Sequence, residues 1–442
     1  MDIALPREFL INTELTMGKE RFERFLKAFE EEPPVSIRVN RGKVQGSEFT
    51  VQSAQFTVNS ELKPVPWCAE GFYLPQRPNF TFDPLLHAGC YYVQEAASQF
   101  AVHSAQFIIQ NAEFRVCHAL DLCAAPGGKS TALRSVLPED CLLVSNEPVR
   151  QRAMVLSENM QKWGSANCVV TNNYPRDFAR NGFKDVFDLV LCDVPCSGEG
   201  MFRKDPVAIS EWSLQNVEHC WQLQRQIVSD IWPCLRPGGI MIYSTCTFNT
   251  KENEENVKWI AEQLGADIIP VPVREEWGIT GSLLPGFDAP VYRFIPGLTR
   301  SEGLFVAILH KRGAPTASAC KVSAWSRLNV IFDAHQMQQG SPKGKDKSKD
   351  IPSCAEALSV ALDRTKYPVV DLPYPTAIAY LRREAIVLPP DTPRGLVVVA
   401  FMGHPLGFVK NIGSRANNLY PREWAIKSTH LPADYTPVIQ IR

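Results

Sequence analysis

The chain has 442 residues, 45% of them hydrophobic, and a formal net charge of -1, so it can bury a sizeable core. The near-neutral charge excludes nucleic-acid binding by a uniformly basic chain and leaves local basic patches for that purpose. The 13 cysteines include no Cys-x-x-Cys pair, so we predict no zinc cluster or other metal site. Because the sequence has no signal peptide and no apolar run of membrane length, we expect a cytoplasmic protein without a membrane partner.

Residues 1–88 are predicted to form a small α+β domain. Pro6 suits the first turn of a helix, and Phe22, Phe25 and Phe29 recur at helical spacing before two prolines end the helical region. A strand is predicted at residues 36–40, and short strands interrupted by prolines follow as far as residue 88.

Strands and helices then alternate over residues 89–312. The predicted strands are residues 115–122, 141–145, 167–171, 187–192 and 239–244, and the predicted helices are residues 91–106, 129–136, 149–162, 217–234 and 251–264. Two more strands, at 291–295 and 303–309, suit a hairpin at the sheet edge. This order predicts an α/β domain with a parallel sheet covered on both faces.

The last part of the chain differs in composition. Residues 313–352 include a polar, charged stretch at 340–350, which predicts a partly mobile linker. Residues 353–442 contain short strands and many turns, and residues 376–442 carry eight Lys or Arg against four Asp or Glu. This region is therefore predicted to be a β-rich, basic module.

A loop of small residues follows the first strand of the alternation; it consists of Cys123, Ala124, Ala125, Pro126, Gly127, Gly128 and Lys129. A phosphate-binding P-loop would need a glycine in place of Cys123, and the three-glycine dinucleotide fingerprint is absent. Such a loop at a helix N-terminus still lets a ligand approach the backbone. Glu147, at the end of the second strand, is either an ordinary exposed carboxylate or an acceptor for a ribose diol. Together, loop and acid favour a nucleoside-bearing cofactor.

Two neighbouring strands end in residues with reactive side chains. Asp193 ends one apolar run and is followed by Cys196, and the next run ends at Cys246. Because the carboxyl ends of parallel strands meet at one edge of a sheet, we expect these three residues to form one site.

These sequences resemble the Sun/Fmu family of RNA cytosine-5 methyltransferases. The matching stretches are Cys-Ala-Ala-Pro-Gly-Gly-Lys at 123–129, Asp-Val-Pro-Cys-Ser-Gly at 193–198, Arg-Pro-Gly-Gly at 236–239, Ser-Thr-Cys-Thr at 244–247 and Tyr-Val-Gln-Glu at 92–95. Residues 403–407 and 415–418 resemble the PUA-like module of the bacterial RsmF-type branch. The resemblance implies a Rossmann-like class I methyltransferase sheet, S-adenosylmethionine as cofactor, and RNA-binding roles for residues 1–88 and 353–442. It also implies ribosomal RNA or the small ribosomal subunit as partner of a monomeric enzyme.

The resemblance further implies the catalytic roles. Cys246 would add to C6 of the cytosine and Cys196 would assist breakdown of the adduct, whereas analogy with DNA cytosine-5 methyltransferases makes Cys196 the nucleophile. Asp193 is suited to hold N3 and the exocyclic amine of the base, which must leave its stack to be reached. Lys129 would contact Asp193.

The predicted cofactor-binding residues are Cys123, Ala124, Ala125, Pro126, Gly127, Gly128, Lys129, Glu147, Asn173, Tyr174 and Asp193. The family usually has an acid after the third strand, near the adenine, and Tyr174 stands in its place here. Either Asn173 replaces the acid as a hydrogen-bonding group or Tyr174 stacks on the ring.

Several alternatives remain open. The tetrad from Asp193 to Cys196 differs from the Asp/Asn-Pro-Pro-aromatic tetrad of base-amine methyltransferases, which favours a carbon target. A tRNA substrate, or a non-catalytic RNA-binding or ribosome-assembly protein, stays possible. The candidate RNA-phosphate contacts are Arg203, Lys204, Arg38, Asn40, Lys410, Arg415, Arg422 and Lys427.

Overall fold

The computed structural model describes residues 4–44, 62–111, 115–314, 325–334, 352–428 and 435–439, which contain three β-sheets. The sheets follow one another along the chain, with the largest in the middle. Within these ranges, no helix combines the length and apolar character needed to cross a membrane.

The first sheet belongs to the N-terminal region. Its elements are α1 (Arg7–Met17), α2 (Lys19–Lys27), β1 (Val35–Val39), α3 (Arg41–Val44), β2 (Lys63–Val65), β3 (Cys68–Leu74), α4 (Pro84–His87) and β4 (Tyr91–Val93). The strand order is β2-β3-β1-β4. Gly18, with a φ of 76°, separates the two helices in the region that the sequence predicts to be helical. Residues 45–61 lie outside the described residues.

The prediction of a helix over residues 91–106 is wrong at its start. Residues 91–93 form β4, which pairs antiparallel with β1 through Ile37–Val93 and Val39–Tyr91, and helix α5 spans Phe100–Asn111. A strand of three residues is too short to show its own periodicity, and its partner lies about fifty residues earlier, so tertiary pairing decides its conformation. The first sheet therefore extends past residue 88.

The central sheet contains the predicted α/β alternation, which the structure confirms. Its elements are β5 (His118–Asp121), α6 (Gly128–Val136), β6 (Leu142–Asn146), α7 (Arg150–Trp163), β7 (Cys168–Thr171), α8 (Pro175–Arg180), β8 (Phe187–Asp193), α9 (Pro206–Glu211), α10 (Leu214–Ile231), β9 (Leu235–Thr245), α11 (Glu254–Gln263), β10 (Ala266–Ile268), β11 (Val291–Phe294), β12 (Leu304–Lys311) and β13 (Val330–Asp333). The order is β10-β12-β9-β8-β5-β6-β7-β13, and the strands from β9 to β7 are parallel. β12 pairs antiparallel with β9 and also with β11, so β11 and β12 form the hairpin that the sequence predicts.

The segment predicted to be a linker contributes a strand to this sheet. β13 pairs antiparallel with β7, through Val330–Thr171 and Asp333–Val169, and so forms the other edge. Its four residues give no periodic signal, which is why the sequence does not reveal it. The charged stretch at 340–350, for which mobility is predicted, lies outside the described residues.

The C-terminal region forms the third sheet, in agreement with the β-rich module that the sequence predicts there. Its elements are α12 (Cys354–Leu358), β14 (Val369–Asp371), α13 (Tyr374–Leu381), β15 (Gly395–Phe401), β16 (His404–Asn411) and β17 (Ala416–Asn418), with the strand order β14-β15-β16-β17. Buried side chains of the first sheet, such as Ile37 and Leu74, belong to the same apolar cluster as Ile378 and Val409 of this module. The first and last regions of the chain therefore share one hydrophobic core.

Asp83 organises the contact between these two regions. Its side chain is 3% exposed and accepts hydrogen bonds from the hydroxyls of Tyr91 (2.8 Å) and Tyr435 (2.9 Å) and from the amide of Leu85 (2.9 Å). The Tyr435 ring also stacks on Tyr374, with 4.0 Å between ring centroids. The amide of Val438 also donates to Asp83, at 3.3 Å, so a buried carboxylate with four donors holds the C-terminal segment against the first sheet.

We expect Asp83→Ala to lower the free energy of unfolding by about 2–4 kcal/mol, because it leaves several buried donors without an acceptor. Tyr435→Phe, which removes a single hydroxyl, should cost about 1 kcal/mol. Urea unfolding followed by tryptophan fluorescence measures both. Equal losses in the two variants would contradict a central role for the carboxylate.

Candidate active site

The ends of β8 and β9 bring the predicted acid and lysine together. Asp193 lies opposite Ser244 in the parallel pairing of the two strands, and the Ser244 hydroxyl donates to Asp193 Oδ1 at 2.7 Å. Lys129 Nζ, from the first turn of α6, donates to Asp193 Oδ2 at 2.8 Å. The Asp193 side chain stays 31% exposed, so it can also contact a ligand.

The Lys129 side chain keeps its charge in this setting. Burial alone would lower the pKa of Lys129, but the Asp193 carboxylate raises it, and the net shift is upwards. Cys246 adds to this rise, which means that a Cys246 thiolate and the Lys129 ammonium would stabilise each other. A cation next to a thiol favours its ionised, nucleophilic form.

The two predicted cysteines are in contact. Their sulfur atoms lie 3.3 Å apart, and the backbone amide of Cys246 donates to Cys196 Sγ at 3.4 Å. The hydrogen bond with Cys246, then burial, then the charge of Cys246 raise the pKa of Cys196 well above the ordinary value for a thiol. Cys196 therefore keeps its proton in the resting site.

The small-residue loop is held by hydrogen bonds from its surroundings. Ala124 N donates to Asn146 O at 2.8 Å, and Gly127, with a φ of 112°, precedes α6 in a left-handed conformation. Asn159 Nδ2 donates to Pro126 O at 2.7 Å. The loop is thereby fixed in a shape that only a glycine at position 127 adopts without strain.

The remaining loop residues lie around this turn. Arg152 Nη2 donates to Ala125 O at 3.1 Å, and a Cβ atom at Gly128 would lie 3.3 Å from the Tyr92 ring. Burial raises the pKa of Cys123 well above its ordinary value, so its thiol stays neutral. Cys123 thus lines the loop as a small, uncharged side chain.

Two carboxylates beside the loop have oxygens without hydrogen-bond donors. Glu147 is 1% exposed, and its Oε1 accepts from Val149 N at 2.9 Å. Its Oε2 accepts no hydrogen bond from the described residues, and the Arg152 guanidinium lies 3.5 Å away. Asp121 Oδ1, at the end of β5, likewise accepts none within the described ranges. These acceptors fit a ligand that offers hydroxyl and ammonium donors, as a nucleoside cofactor with an amino-acid group does.

The two residues predicted to lie near the adenine, Asn173 and Tyr174, differ in their exposure to solvent. The Asn173 amide is already engaged with Asn329, donating to its carbonyl at 3.4 Å and accepting from its amide at 3.1 Å. Tyr174 is 57% exposed, and the Arg176 guanidinium lies 5.2 Å from the centre of its ring. Of the two residues predicted to lie near the adenine, only Tyr174 presents its side chain to solvent.

Three predicted RNA contacts are instead internal. Arg203 donates to Glu302 Oε1 at 2.9 Å, and this pair is almost fully buried. Arg38 is fully buried and donates to Thr131 Oγ1 at 2.6 Å, and buried Asn40 donates to two backbone carbonyls. These predictions are wrong because the residue type suggests phosphate binding but does not show whether the side chain is buried. The exposed candidates are Lys204, Lys410, Arg415, Arg422 and Lys427.

A cavity of about 1120 Å³ lies between the first sheet and residues 297–301, next to the segment that follows Cys196. Exposed Arg77, Lys204 and Arg300 line it. Arg300 lies over the Tyr73 ring, with 4.2 Å to the ring centre. The exposed cations suit contacts to RNA phosphates, while Glu31, Glu32 and Glu95 line the same cavity.

Sequence reasoning missed two buried glutamates near the cysteines. Glu199, 2% exposed, accepts from the backbone amide of Phe248 at 2.7 Å, and Glu252, fully buried, accepts from that of Ser197 at 3.0 Å. Burial, together with the charge of Glu199, raises the pKa of Glu252 to about 7. In the sequence, Glu252 belongs to the polar run Lys-Glu-Asn-Glu-Glu at 251–255, which looks like a solvated helix start. The only feature of the sequence that points to a role for Glu252 in the site is its position six residues after Cys246.

Three family models match successive parts of the chain. The N-terminal domain of 16S rRNA methyltransferase RsmF matches residues 5–96, 16S rRNA methyltransferase RsmB/F matches residues 109–310, and the methyltransferase RsmF PUA domain matches residues 367–426. Their order is the order of the three sheets.

Related proteins match over almost the whole chain. Ribosomal RNA small subunit methyltransferase F of an Escherichia coli strain is 31% identical over 477 aligned positions, which cover 95% of this chain and 96% of that protein. The protein of the same name from Pectobacterium atrosepticum is 35% identical over 321 positions, covering 70% and 63%.

Solved structures share the fold. The crystal structure of NSun6 from Pyrococcus horikoshii with SFG has a TM-score of 0.56 at 21% identity, covering 71% of this chain and all (100%) of that one. A methyltransferase homologue from the same organism has a TM-score of 0.53 at 24% identity, covering 70% and 100%. These structures show the fold alone. The three family models, together with the 31% identity to ribosomal RNA small subunit methyltransferase F, show that the chain belongs to the RsmB/F family of 16S rRNA methyltransferases, in its RsmF branch.

Proposed function

We propose that this enzyme transfers a methyl group from S-adenosylmethionine to C5 of a cytosine in 16S ribosomal RNA, through a covalent adduct between Cys246 and C6. The observation that carries the proposal is the contact of two cysteines, 3.3 Å apart, beside the Lys129–Asp193 pair at the ends of neighbouring strands. The domain match to RsmB/F and RsmF methyltransferases supports the RNA substrate.

The cysteine is needed because C5 of cytosine is a poor nucleophile. Addition of the Cys246 thiolate to C6 makes the ring enamine-like, so that C5 can take the methyl group. Asp193 accepts a hydrogen bond from the exocyclic amine, which distinguishes cytosine from uracil, whose carbonyl offers no donor there. The Lys129 ammonium offsets the negative charge that the addition places on the ring.

Release of the product requires loss of the proton from C5. In the resting site, the hydrogen bond with Cys246, then burial, then the charge of Cys246 raise the pKa of Cys196 and keep it protonated. Once Cys246 is bound to C6 as a neutral thioether, the two causes that involve Cys246 are gone and burial remains, so Cys196 gives its proton to solvent more readily than in the resting site. The Cys196 thiolate then takes the C5 proton, the C5–C6 double bond re-forms, and Cys246 leaves as a thiolate.

We propose that residues 123–129, Glu147 and Asp193 hold the cofactor, with Tyr174 against the adenine. Glu147 Oε2 pairs with Arg152 but accepts no hydrogen bond from the described residues, which supports a contact to the ribose hydroxyls. The exposure of Tyr174 supports stacking. Bound there, S-adenosylmethionine supplies an electrophilic methyl group. The engaged amide of Asn173 argues against a direct role for it in adenine binding.

Glu147→Gln is expected to weaken S-adenosylmethionine binding about tenfold, because the amide nitrogen takes the place of a carboxylate acceptor. Isothermal titration calorimetry of the cofactor measures this change in Kd. The matched control is Glu139→Gln, an exposed glutamate, which should bind as the wild type does. A Kd within twofold of wild type for Glu147→Gln would rule out its contact with the ribose.

The target RNA can be identified by transfer of labelled methyl groups. We expect incorporation from tritiated S-adenosylmethionine into 16S ribosomal RNA or the small subunit, and none into tRNA. Bisulfite sequencing of total RNA from a strain without the gene should show the loss of one or more 5-methylcytosines. Absence of incorporation into any RNA, under conditions where the cofactor binds, would favour the non-catalytic alternative.

We also propose that the first and third regions bind RNA around a central methyltransferase domain, in a monomeric, cytoplasmic enzyme. The 12 cysteines within the described ranges are unpaired, which suits a reducing compartment. The exposed cations of the C-terminal module, such as Lys410 and Arg415, support its contact with RNA phosphates.

A further inference from the structure

Glu252 connects the two cysteine-bearing segments. Its Oε2 accepts from Ser197 N at 3.0 Å and from Gln224 Nε2 at 2.7 Å. Its Oε1 accepts from the Ser197 hydroxyl at 2.5 Å and from Asn249 Nδ2 at 2.8 Å. All four hydrogen bonds are donated to the carboxylate, so they favour its ionised form, against the burial and the charge of Glu199 that raise its pKa to about 7.

Glu199 makes the converse connection. It follows Cys196 by three residues, and its Oε2 accepts from the backbone amides of Phe248 (2.7 Å) and Asn249 (3.1 Å), which follow Cys246. Each glutamate therefore binds the chain next to the other cysteine, and the two segments cannot shift independently.

The two cysteines depend on this arrangement to different degrees. Cys246 directly follows β9, whose last residue, Thr245, pairs with Phe305 of β12. Cys196 lies beyond the end of β8, in a segment without regular secondary structure. There the residue after it, Ser197, is bound by Glu252 through both its amide and its hydroxyl. Loss of Glu252 should therefore displace Cys196 more than Cys246.

We propose that Glu252 is a positioning residue for release of the methylated base: it fixes the turn at Ser197 so that Cys196 can reach the proton on C5. This inference rests on the proposed function, because it assigns Glu252 to one step of that reaction. In this step the Cys196 thiolate takes the proton, the electrons of the C–H bond restore the C5–C6 double bond, and the C6–S bond breaks to return Cys246 as a thiolate. Removal of Glu252 leaves the first addition possible and impairs this second step.

Glu252→Gln tests the proposal, because a glutamine keeps the shape but turns one acceptor into a donor that faces two other donors. We expect the covalent RNA adduct to form within about threefold of the wild-type rate and to persist about thirtyfold longer. This is less than the cost of losing the proton transfer, about 10²- to 10⁴-fold, because the Cys196 thiol is displaced but still present. Single-turnover reactions with 16S ribosomal RNA and S-adenosylmethionine, resolved on denaturing gels, measure both rates.

The double variant Glu252→Gln/Cys196→Ser separates positioning from general damage. If Glu252 acts through Cys196, the double variant should release its adduct as slowly as Cys196→Ser alone. Asp188→Asn is the matched control: this buried carboxylate accepts from the amides of Cys117 (2.6 Å) and His118 (2.8 Å) at the other end of β8. It should alter stability without changing the ratio of adduct formation to release.

Three results would overturn the proposal. The first is an equal loss in the rates of adduct formation and adduct release in Glu252→Gln. The second is release from the double variant that is slower than release from Cys196→Ser. The third is release from Glu252→Gln at the wild-type rate. Should Glu252→Gln fail to fold, Ser197→Ala removes only one of the four donors and should prolong the adduct about threefold to tenfold. If Cys196→Ser forms no adduct, the proposed function fails together with this inference. If Cys196→Ser accumulates the adduct as expected but Glu252→Gln releases its adduct at the wild-type rate, only the inference is overturned.

Discussion

Cys246→Ser should form no covalent adduct with RNA and should lose methylation by at least about 10⁴-fold, because a serine hydroxyl is not ionised near neutral pH and adds poorly to C6. Cys196→Ser should behave in the opposite way and accumulate the adduct. Its Cys246 still has Lys129 nearby, so the first addition proceeds. Without the second thiol, the C5 proton is lost slowly, and we expect turnover to fall about 10²- to 10⁴-fold.

Denaturing gels of each variant with 16S ribosomal RNA and the cofactor distinguish these outcomes. A slowly migrating protein–RNA band should appear for Cys196→Ser and be missing for Cys246→Ser. Cys220→Ser, at a buried cysteine on α10, is the matched control and should methylate as the wild type does. An adduct formed by the Cys246→Ser protein would restore Cys196 as the nucleophile.

Asp193→Asn should lower the rate of adduct formation about 10²- to 10³-fold, the usual cost of removing a group that stabilises charge in the transition state. In the wild type, one carboxylate oxygen of Asp193 accepts from Ser244 and the other from Lys129. The substitution replaces one of these oxygens by an amide nitrogen, which cannot accept a hydrogen bond. Lys129 would then lose its carboxylate partner, and the selection for the exocyclic amine of cytosine would be lost.

Single-turnover rates with cytosine and with uracil at the target position measure both effects. Glu211→Gln, at the exposed end of α9, is a control for the loss of one carboxylate charge outside the site. Discrimination against uracil should drop in Asp193→Asn and remain in the control. A rate within threefold of wild type would show that Asp193 does not hold the base.

The sequence reveals the site well where reactive residues follow long apolar strands. Asp193 ends β8 and Cys246 directly follows β9, and parallel pairing of the two strands places both residues at one edge. The alternation of strands and helices carries this information because each element is long enough to show its period. Sequence and structure therefore agree on the centre of the site, where topology alone determines which residues meet.

The sequence fails where burial or a distant partner determines the outcome. β4 and β13 have three and four residues, and each forms only because a strand elsewhere in the chain accepts it. Arg38 and Arg203 have the residue type of phosphate ligands, yet lie inside the protein. Glu252 shows the reverse, since a polar run at a helix start contains a fully buried carboxylate. Neither periodicity nor composition reports depth at a single position.

The core shared by the first and third sheets has a consequence for biosynthesis. The apolar face of the first sheet is complete once residue 93 has been made, but part of its cover, including Ile378 and Val409, comes about three hundred residues later. At about 5–20 residues per second, the ribosome needs roughly 15 to 60 s to cover this distance. The central domain can fold in that interval, whereas the N-terminal sheet waits for the end of the chain before its core is closed.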